Sequence, residues 1–180
     1  MDEDEFILRP IEDGDSFTSF RTGDADFAPL KMFAKTKAKP YEKANLARTY
    51  VVCDQTNNRV AAYITLVCSE VRSAETLADI DGHLFPYEQY PAVKIARLMV
   101  DERYRGNGLA VSKKLGSVLI DFALGIAKNE IAEWVGCRFI IVDAKAKSVA
   151  FYEKVGFTLL DTPDNKARAE KVMFVDLSKL

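Results

Sequence analysis

Apolar residues recur along the chain with two periods, near two and near 3.6, and the switches between them mark the elements. EFILRPI, residues 5–11, reads as a first strand ending at Pro10. Residues 13–20 and 26–37 read as two short helices with Gly23-Asp24 between them, and Pro40 closes that segment. ARTYVVCD (47–54) and RVAAYITLVC (59–68) are β-branched strand runs around Asn57-Asn58, which predicts a hairpin. Residues 73–91 hold Gly82, Pro86 and Pro91 and read as a loop or helical excursion. AVKIARLMV, residues 92–100, is a third long strand. Beyond DERYRGNG, the residues Val111, Leu115, Val118, Leu119, Phe122 and Ile126 recur at helical spacing. That pattern predicts an amphipathic helix from about Leu109 towards Trp134. CRFIIVDA (137–144) is almost wholly apolar, as a strand covered on both faces is. KSVAFYEKVGF (147–157) reads as a short helix with Gly156 as its left-handed cap, and KVMFVDLS (171–178) as the last strand.

Hairpin-linked strands come first and helix-linked strands follow. This order predicts one α/β domain over residues 1–180, built on a mixed sheet with helices on both faces. The 180 residues suffice for one well-buried core and are few for two. Hydrophobic residues make up 48% and charged residues 29%, a globular balance that excludes a disordered chain. The longest apolar run, around Val60–Cys68, is far too short to span a bilayer, so no membrane partner is expected. MDEDEF is acidic where a secretory signal would be basic. Cys53, Cys68 and Cys137 lie in or beside strand runs without CxxC spacing, and read as buried thiols of a cytoplasmic protein. His83 is the single histidine, which leaves almost no scope for a histidine metal site or a serine triad, and no metal is expected.

The net charge of −2 is unevenly spread. Residues 2–26 carry nine acids and two bases, whereas residues 31–48 carry six bases and one acid, Glu42. The basic stretch reads as a solvated face or as a patch for an anionic partner.

The turn RGNG lies between a hydrophobic strand and a long helix. Converging N–H groups and the helix dipole make such a junction an anion site. Gly106 and Gly108 allow close backbone approach, and Arg103 and Arg105 supply charge suited to phosphate. The Walker pattern is absent, and Val111 breaks the dinucleotide fingerprint.

Arg103-x-x-Gly106-x-Gly108 resembles the Gln/Arg-x-x-Gly-x-Gly/Ala motif of GNAT (GCN5-related) N-acetyltransferases. ARLMVDERYRGNGLA is similar to that family's strand-turn-helix. VDAKAKSVAFYEKVGF is similar to its second signature, a helix with Phe-Tyr that ends in Gly-Phe. Within the family, FRTGDADFAPLKMFA (20–34) resembles an N-terminal segment of the GNAT-type toxins of bacterial toxin–antitoxin pairs. Phe20, Gly23, Phe27, Phe33 and Ala34 fit that segment, and Thr22 replaces its usual cysteine. TYVV, YPAVKIARLMVD and VDAK also look like that branch.

The resemblance implies a mostly antiparallel sheet with a central splay that admits the pantetheine arm of acetyl-CoA. It implies acetyl transfer from acetyl-CoA, as co-substrate, to a primary amine. In the toxin branch that amine is the α-amino group of aminoacyl-tRNA, with a tRNA acceptor, an antitoxin protein and a homodimer as partners. By resemblance the cofactor is bound by Leu98, Met99 and Val100 on the strand and by Arg103, Arg105, Gly106, Asn107, Gly108, Leu109 and Ala110 on the turn. Ala110 stands where glycine is common, and Lys145 or Ala146 where many relatives place a pantetheine-binding asparagine.

Tyr152 matches the family's helix tyrosine and is the candidate proton donor to the leaving thiolate. Adjacent helix positions point about 100° apart, so Phe151 is expected in the core and Tyr152 facing the groove. Asp101, Glu102 and Asp143 lie at strand ends without the marks of a general base. An α-amine titrates near ~7.7–8.0 and needs little help from a base, which favours it over lysine near ~10.4. A housekeeping enzyme acting on a small amine or a protein, and a non-catalytic acyl-CoA sensor, are the alternatives.

Overall fold

The computed structural model describes residues 5–72, 89–106 and 114–180. Its strands are β1 (Phe6–Pro10), β2 (Arg48–Asp54), β3 (Arg59–Arg72), β4 (Gln89–Val100), β5 (Phe139–Ala144), β6 (Thr158–Leu159) and β7 (Lys171–Asp176). They hydrogen-bond in the order β1-β2-β3-β4-β5-β7-β6. The sheet is mostly antiparallel with one parallel pair. The chain divides into two compact units, residues 1–67 with 95–123 and residues 68–94 with 124–180. Among the described residues no helix is long and apolar enough to cross a membrane.

In the first unit the expected hairpin forms: β2 and β3 pair antiparallel, and Asn58 takes the left-handed conformation at φ 52 that a tight turn needs. β1 pairs with β2 from Phe6↔Asp54 to Pro10↔Tyr50. The core gathers Phe17, Phe20, Val51, Tyr63 and Met99, all almost fully buried. Phe17 and Phe20 meet the Tyr63 ring edge-on at 5.5 and 6.1 Å. Burying each such side chain is worth roughly 1.5–3 kcal/mol. The Tyr63 hydroxyl donates to the carbonyl of Leu30 at 2.7 Å, which holds α1 (Ala28–Thr36) against the sheet.

Two local expectations differ. Residues 13–20 are turns, not a helix. Lys39 Nζ donates to the carbonyls of Asp13 and Asp15 at 2.6 Å each, and ties these turns to the helix that carries it. Pro40 lies inside α2 (Ala38–Lys43). It occupies the first turn, where the missing N–H has no helical acceptor to lose.

The predicted long helix appears as α3 (Leu115–Ile126), a π-helical stretch Ala127–Ile131 and α4 (Ala132–Val135). Its start at residues 109–113 lies outside the described residues. In the first unit Leu115, Leu119, Ile120 and Ala123 bury one face, and Phe122 meets Tyr50 at 4.7 Å.

In the second unit β5 is buried on both faces, as its apolar run required, and pairs antiparallel with β7. Phe139 sits between Tyr90 and Phe174, 6.1 and 5.7 Å away. The buried Asn165 of α6 (Pro163–Ala167) donates to the carbonyls of Leu160 and Val172 and accepts from the Val172 N–H. Neither β6 nor α6 was visible in the periodicity, because both are too short to repeat. α5 (Val149–Lys154) ends as expected at Gly156, with φ 95. Of the three cysteines only Cys53 is buried; Cys137 is half-buried, Cys68 is exposed, and all three are free thiols.

Candidate active site

β4 delivers Leu98, Met99 and Val100 to its C-terminal end, with Met99 buried and its neighbours half-buried. Asp101 then stops the strand. It caps the 3-10 turn Glu102–Tyr104, its carboxylate accepting the Arg103 N–H at 2.9 Å. The Tyr104 hydroxyl donates to Asp54 at 2.7 Å, and Asn57 donates to the same carboxylate oxygen at 2.6 Å. The β2–β3 turn therefore holds the start of the anion turn from one side.

The two arginines differ sharply. Arg103 is turned inward, donating from Nε and Nη2 to Asp101 and from Nη2 to the carbonyl of Ser19 at 2.9 Å. Arg105 is exposed, donates from Nε to the carbonyl of Val100 at 2.6 Å, and lies over the Phe27 ring at 5.9 Å. Although the residue as a whole is exposed, the packing around its guanidinium desolvates it and draws the Arg105 pKa below the ordinary arginine value, while Asp101, Glu102 and Asp24 pull it back up. An arginine so placed stays charged at neutral pH. Gly106 has φ 86, a conformation natural to glycine, and a side chain there would meet nothing within 4 Å. Asn107, Gly108, Leu109 and Ala110 lie outside the described residues, as does His83.

The second unit places Tyr152 on α5. Contrary to expectation it is the more buried of the aromatic pair, 6% exposed, with Phe151 half-buried. The cause lies past the helix end. The chain reverses at Gly156, the Phe157 N–H donates to the Tyr152 carbonyl at 2.9 Å, and the Phe157 ring packs 5.4 Å from that of Tyr152. The Tyr152 hydroxyl has no hydrogen-bond partner among the described residues. Burial pushes its pKa well above the usual phenol value.

Two of the three acids considered as bases are engaged in ion pairs, and the third, Glu102, is exposed. Asp101 is wrapped by Arg103 and Arg21. Asp143 pairs with Lys94 and, at 3.4 Å, with Arg168. It lies in a cleft of about 1080 Å³ in the second unit that does not include Tyr152. Lys145 reaches Glu170 at 3.4 Å.

Residues 18–157 match the sequence profile of the acetyltransferase (GNAT) family. The chain belongs to that family. The match runs through both compact units and contains the anion turn and Tyr152. The chain is also 27% identical, over 155 residues, to a tRNA-acetylating toxin of Mycobacterium tuberculosis, covering 86% of this chain and 85% of that protein. Among solved structures, AtaT complexed with acetyl-methionyl-tRNAfMet superposes with a TM-score of 0.78 at 22% identity, covering 97% of this chain and 96% of that one. A tyrosine-to-phenylalanine mutant of the AtaT toxin, bound to the C-terminus of the antitoxin AtaR and acetyl-CoA, gives a TM-score of 0.74 at 21% identity, covering 98% of this chain and 96% of that one. These structures share the GNAT fold with this chain.

As a GNAT acetyltransferase the chain has one feature its sequence conceals. The Arg21 N–H donates to Asp101 across 80 positions of sequence. The capping role of Asp101 was legible, since an acid closing a strand before a tight turn is a common cap. Its long-range partner carries no local signal.

Proposed function

We propose that this acetyltransferase is the toxin of a toxin–antitoxin pair and acetylates the α-amino group of aminoacyl-tRNA with acetyl-CoA. The observation that carries this is the similarity to a tRNA-acetylating toxin over 155 residues, 86% of the chain, which reaches well beyond the cofactor motif. The N-terminal residues Phe20, Gly23, Phe27, Phe33 and Ala34 support it independently of the acetyltransferase signatures.

The family motif fits the sequence in two registers, Arg103-x-x-Gly106-x-Gly108 and Arg105-x-x-Gly108-x-Ala110. The inward engagement of Arg103 supports the second. Arg105, with Gly106 and the turn Asn107–Ala110, takes the pyrophosphate. Leu98, Met99 and Val100 offer backbone to the pantetheine arm and the thioester carbonyl. Oxyanion stabilisation by strand N–H groups depends on backbone geometry, so side-chain changes there test it poorly.

In the reaction the neutral α-amine attacks the thioester carbon. A C–N bond forms, the C–S bond breaks, and the sulfur leaves as thiolate. Tyr152 gives its phenolic proton to that thiolate, the amine's surplus proton passes to water, and Tyr152 regains a proton from water before the next turnover. The raised pKa keeps Tyr152 protonated throughout the neutral range. An α-amine needs no strong base, which agrees with the engagement of Asp101 and Asp143 in ion pairs. The chain works as one domain, as a cytoplasmic homodimer, and an antitoxin holds it inactive.

The test is release of free coenzyme A from acetyl-CoA by purified protein. Charged tRNA should support release, while uncharged tRNA, free amino acids and polyamines should not. Release driven by polyamines or amino acids would make it a metabolic enzyme. Tight acetyl-CoA binding without release on any acceptor would favour a sensor. Expression without antitoxin should arrest growth, and Tyr152→Phe should lift the arrest.

A further inference from the structure

The segment Ser19–Phe27 and the anion turn are joined by a single buried carboxylate. The Asp101 side chain is 0% exposed. Its Oδ2 accepts the Arg21 N–H at 2.9 Å and Arg103 Nη2 at 2.6 Å. Its Oδ1 accepts the Arg103 N–H and Arg103 Nε, both at 2.9 Å. A carboxylate has about four acceptor positions, and all are filled. A simple cap needs only one of these bonds and a simple ion pair only two.

The joint is returned from the other side. The Glu102 N–H donates to the Arg21 carbonyl at 3.0 Å, and Arg103 Nη2 donates to the Ser19 carbonyl at 2.9 Å. Gly23, at φ 68, lies so close to Glu102 that a Cβ would stand 3.0 Å from its carboxylate oxygen. Four residues on, Phe27 offers its ring to the Arg105 guanidinium. The direction of Arg105 is thus set partly by the N-terminal segment.

We propose that Asp101 is a positioning residue that locks the Ser19–Phe27 segment to the cofactor turn, with Arg103 as its internal counter-ion and not a phosphate ligand. The inference rests on the reading of Arg105–Ala110 as the pyrophosphate turn. Segment and turn then order together. Linkage makes the effect reciprocal: acetyl-CoA steadies the segment as much as the segment steadies the acetyl-CoA site.

A double-mutant cycle in the full-length protein tests this. Asp101→Asn replaces two acceptor positions with donors facing Arg103 and the Arg21 N–H. Arg103→Gln removes the counter-ion. Each should weaken acetyl-CoA binding, measured by calorimetry, about tenfold, and raise KM for acetyl-CoA with kcat within about twofold at saturation. The double variant should be no worse than the poorer single one, because both break the same joint. If Arg103 instead held phosphate, Asp101→Asn would free it, and affinity would stay level or rise while the two effects separated. That result overturns the proposal. Amide exchange of the wild-type protein decides it even where Asp101→Asn fails to fold. Adding acetyl-CoA should slow exchange at Arg21 and Glu102 together, and an unchanged Arg21 amide overturns the coupling. A wild-type protein that binds no acetyl-CoA overturns the acetyl-CoA reading and this coupling together. Normal wild-type binding with an indifferent Asp101→Asn overturns the coupling alone.

Discussion

The proposed reaction draws the leaving-group proton from one hydroxyl, that of Tyr152. It is buried against Phe151 and Phe157. Tyr152→Phe removes one oxygen and leaves the ring packing intact. We expect kcat to fall about 10²–10³-fold with acetyl-CoA affinity unchanged, the loss typical of a removed general acid. An unchanged kcat would assign the proton to water. The pH dependence has a definite sign. A donor works while protonated, and the raised pKa moves its loss of the proton above the ordinary value of about 10. The kcat profile should therefore show no alkaline fall up to about pH 10, whereas a limb near 9 would exclude Tyr152. Asp101 has the opposite sign. Burial alone would raise its pKa, but hydrogen bonds from the Arg103 side chain and from the Arg21 and Arg103 N–H groups hold it below the usual carboxylate value. A depressed carboxylate gives stability that is present above the unfolded pKa, near ~3.9, and lost as pH falls through the folded one. Urea midpoints taken from about pH 5 to pH 2 should drop more steeply for wild type than for Asp101→Asn. Parallel slopes would deny Asp101 this role. Both residues were visible as residue types in a pattern. What the sequence withheld was their surroundings, because the burial of Tyr152 depends on a chain reversal and that of Asp101 on a partner 80 positions away.

Elements were most legible where hydrophobic spacing ran long. The β2–β3 hairpin, β5, β7 and the helix through Trp134 follow directly from period and turn residues. Failures came where side chains captured the backbone or the element was shorter than its period. The expected helix at 13–20 is turns, with Lys39 on the Asp13 and Asp15 carbonyls, and β6 has only two residues. The hairpin also hides a polar joint. Thr49 and Thr65, paired in the β2–β3 register and both buried, share a hydrogen bond between hydroxyls at 2.9 Å. Thr65→Val keeps the shape and strands the Thr49 hydroxyl, which should cost about 1–3 kcal/mol in urea unfolding. Removing both hydroxyls restores the balance, so Thr49→Val with Thr65→Val should recover most of that loss. A double variant as unstable as the sum of the singles would show that the hydroxyls serve other partners.

For the whole molecule the decisive quantity is where the charge lies, not its total of −2. Much of the acidic N-terminus and the basic stretch 31–48 neutralise locally: Arg9 pairs with Asp15, Lys43 with Asp13, and Arg48 with Glu42. Lys31, Lys35 and Lys37 make no ion pair among the described residues, and Lys35 and Lys37 are exposed. Beside them the exposed Arg97 lies over the Phe33 ring at 5.1 Å, and Phe33 meets Tyr41 at 5.5 Å. Cations interleaved with aromatic rings suit a nucleic acid better than a small amine. With an acidic chain overall, attraction to RNA must come from such a patch and must release counterions when it acts. Two consequences follow if charged tRNA is the acceptor. Raising salt from 50 to 200 mM, the span over which phosphate contacts weaken by orders of magnitude, should raise KM for charged tRNA steeply and leave KM for acetyl-CoA nearly level. Lys35→Glu with Lys37→Glu should raise KM for charged tRNA about tenfold and flatten the salt slope, each lost phosphate contact removing close to one unit. Equal salt slopes in the wild type and the double variant would put the RNA on another face. A KM for acetyl-CoA that moved with these lysines would instead mean the patch reads the cofactor's phosphates.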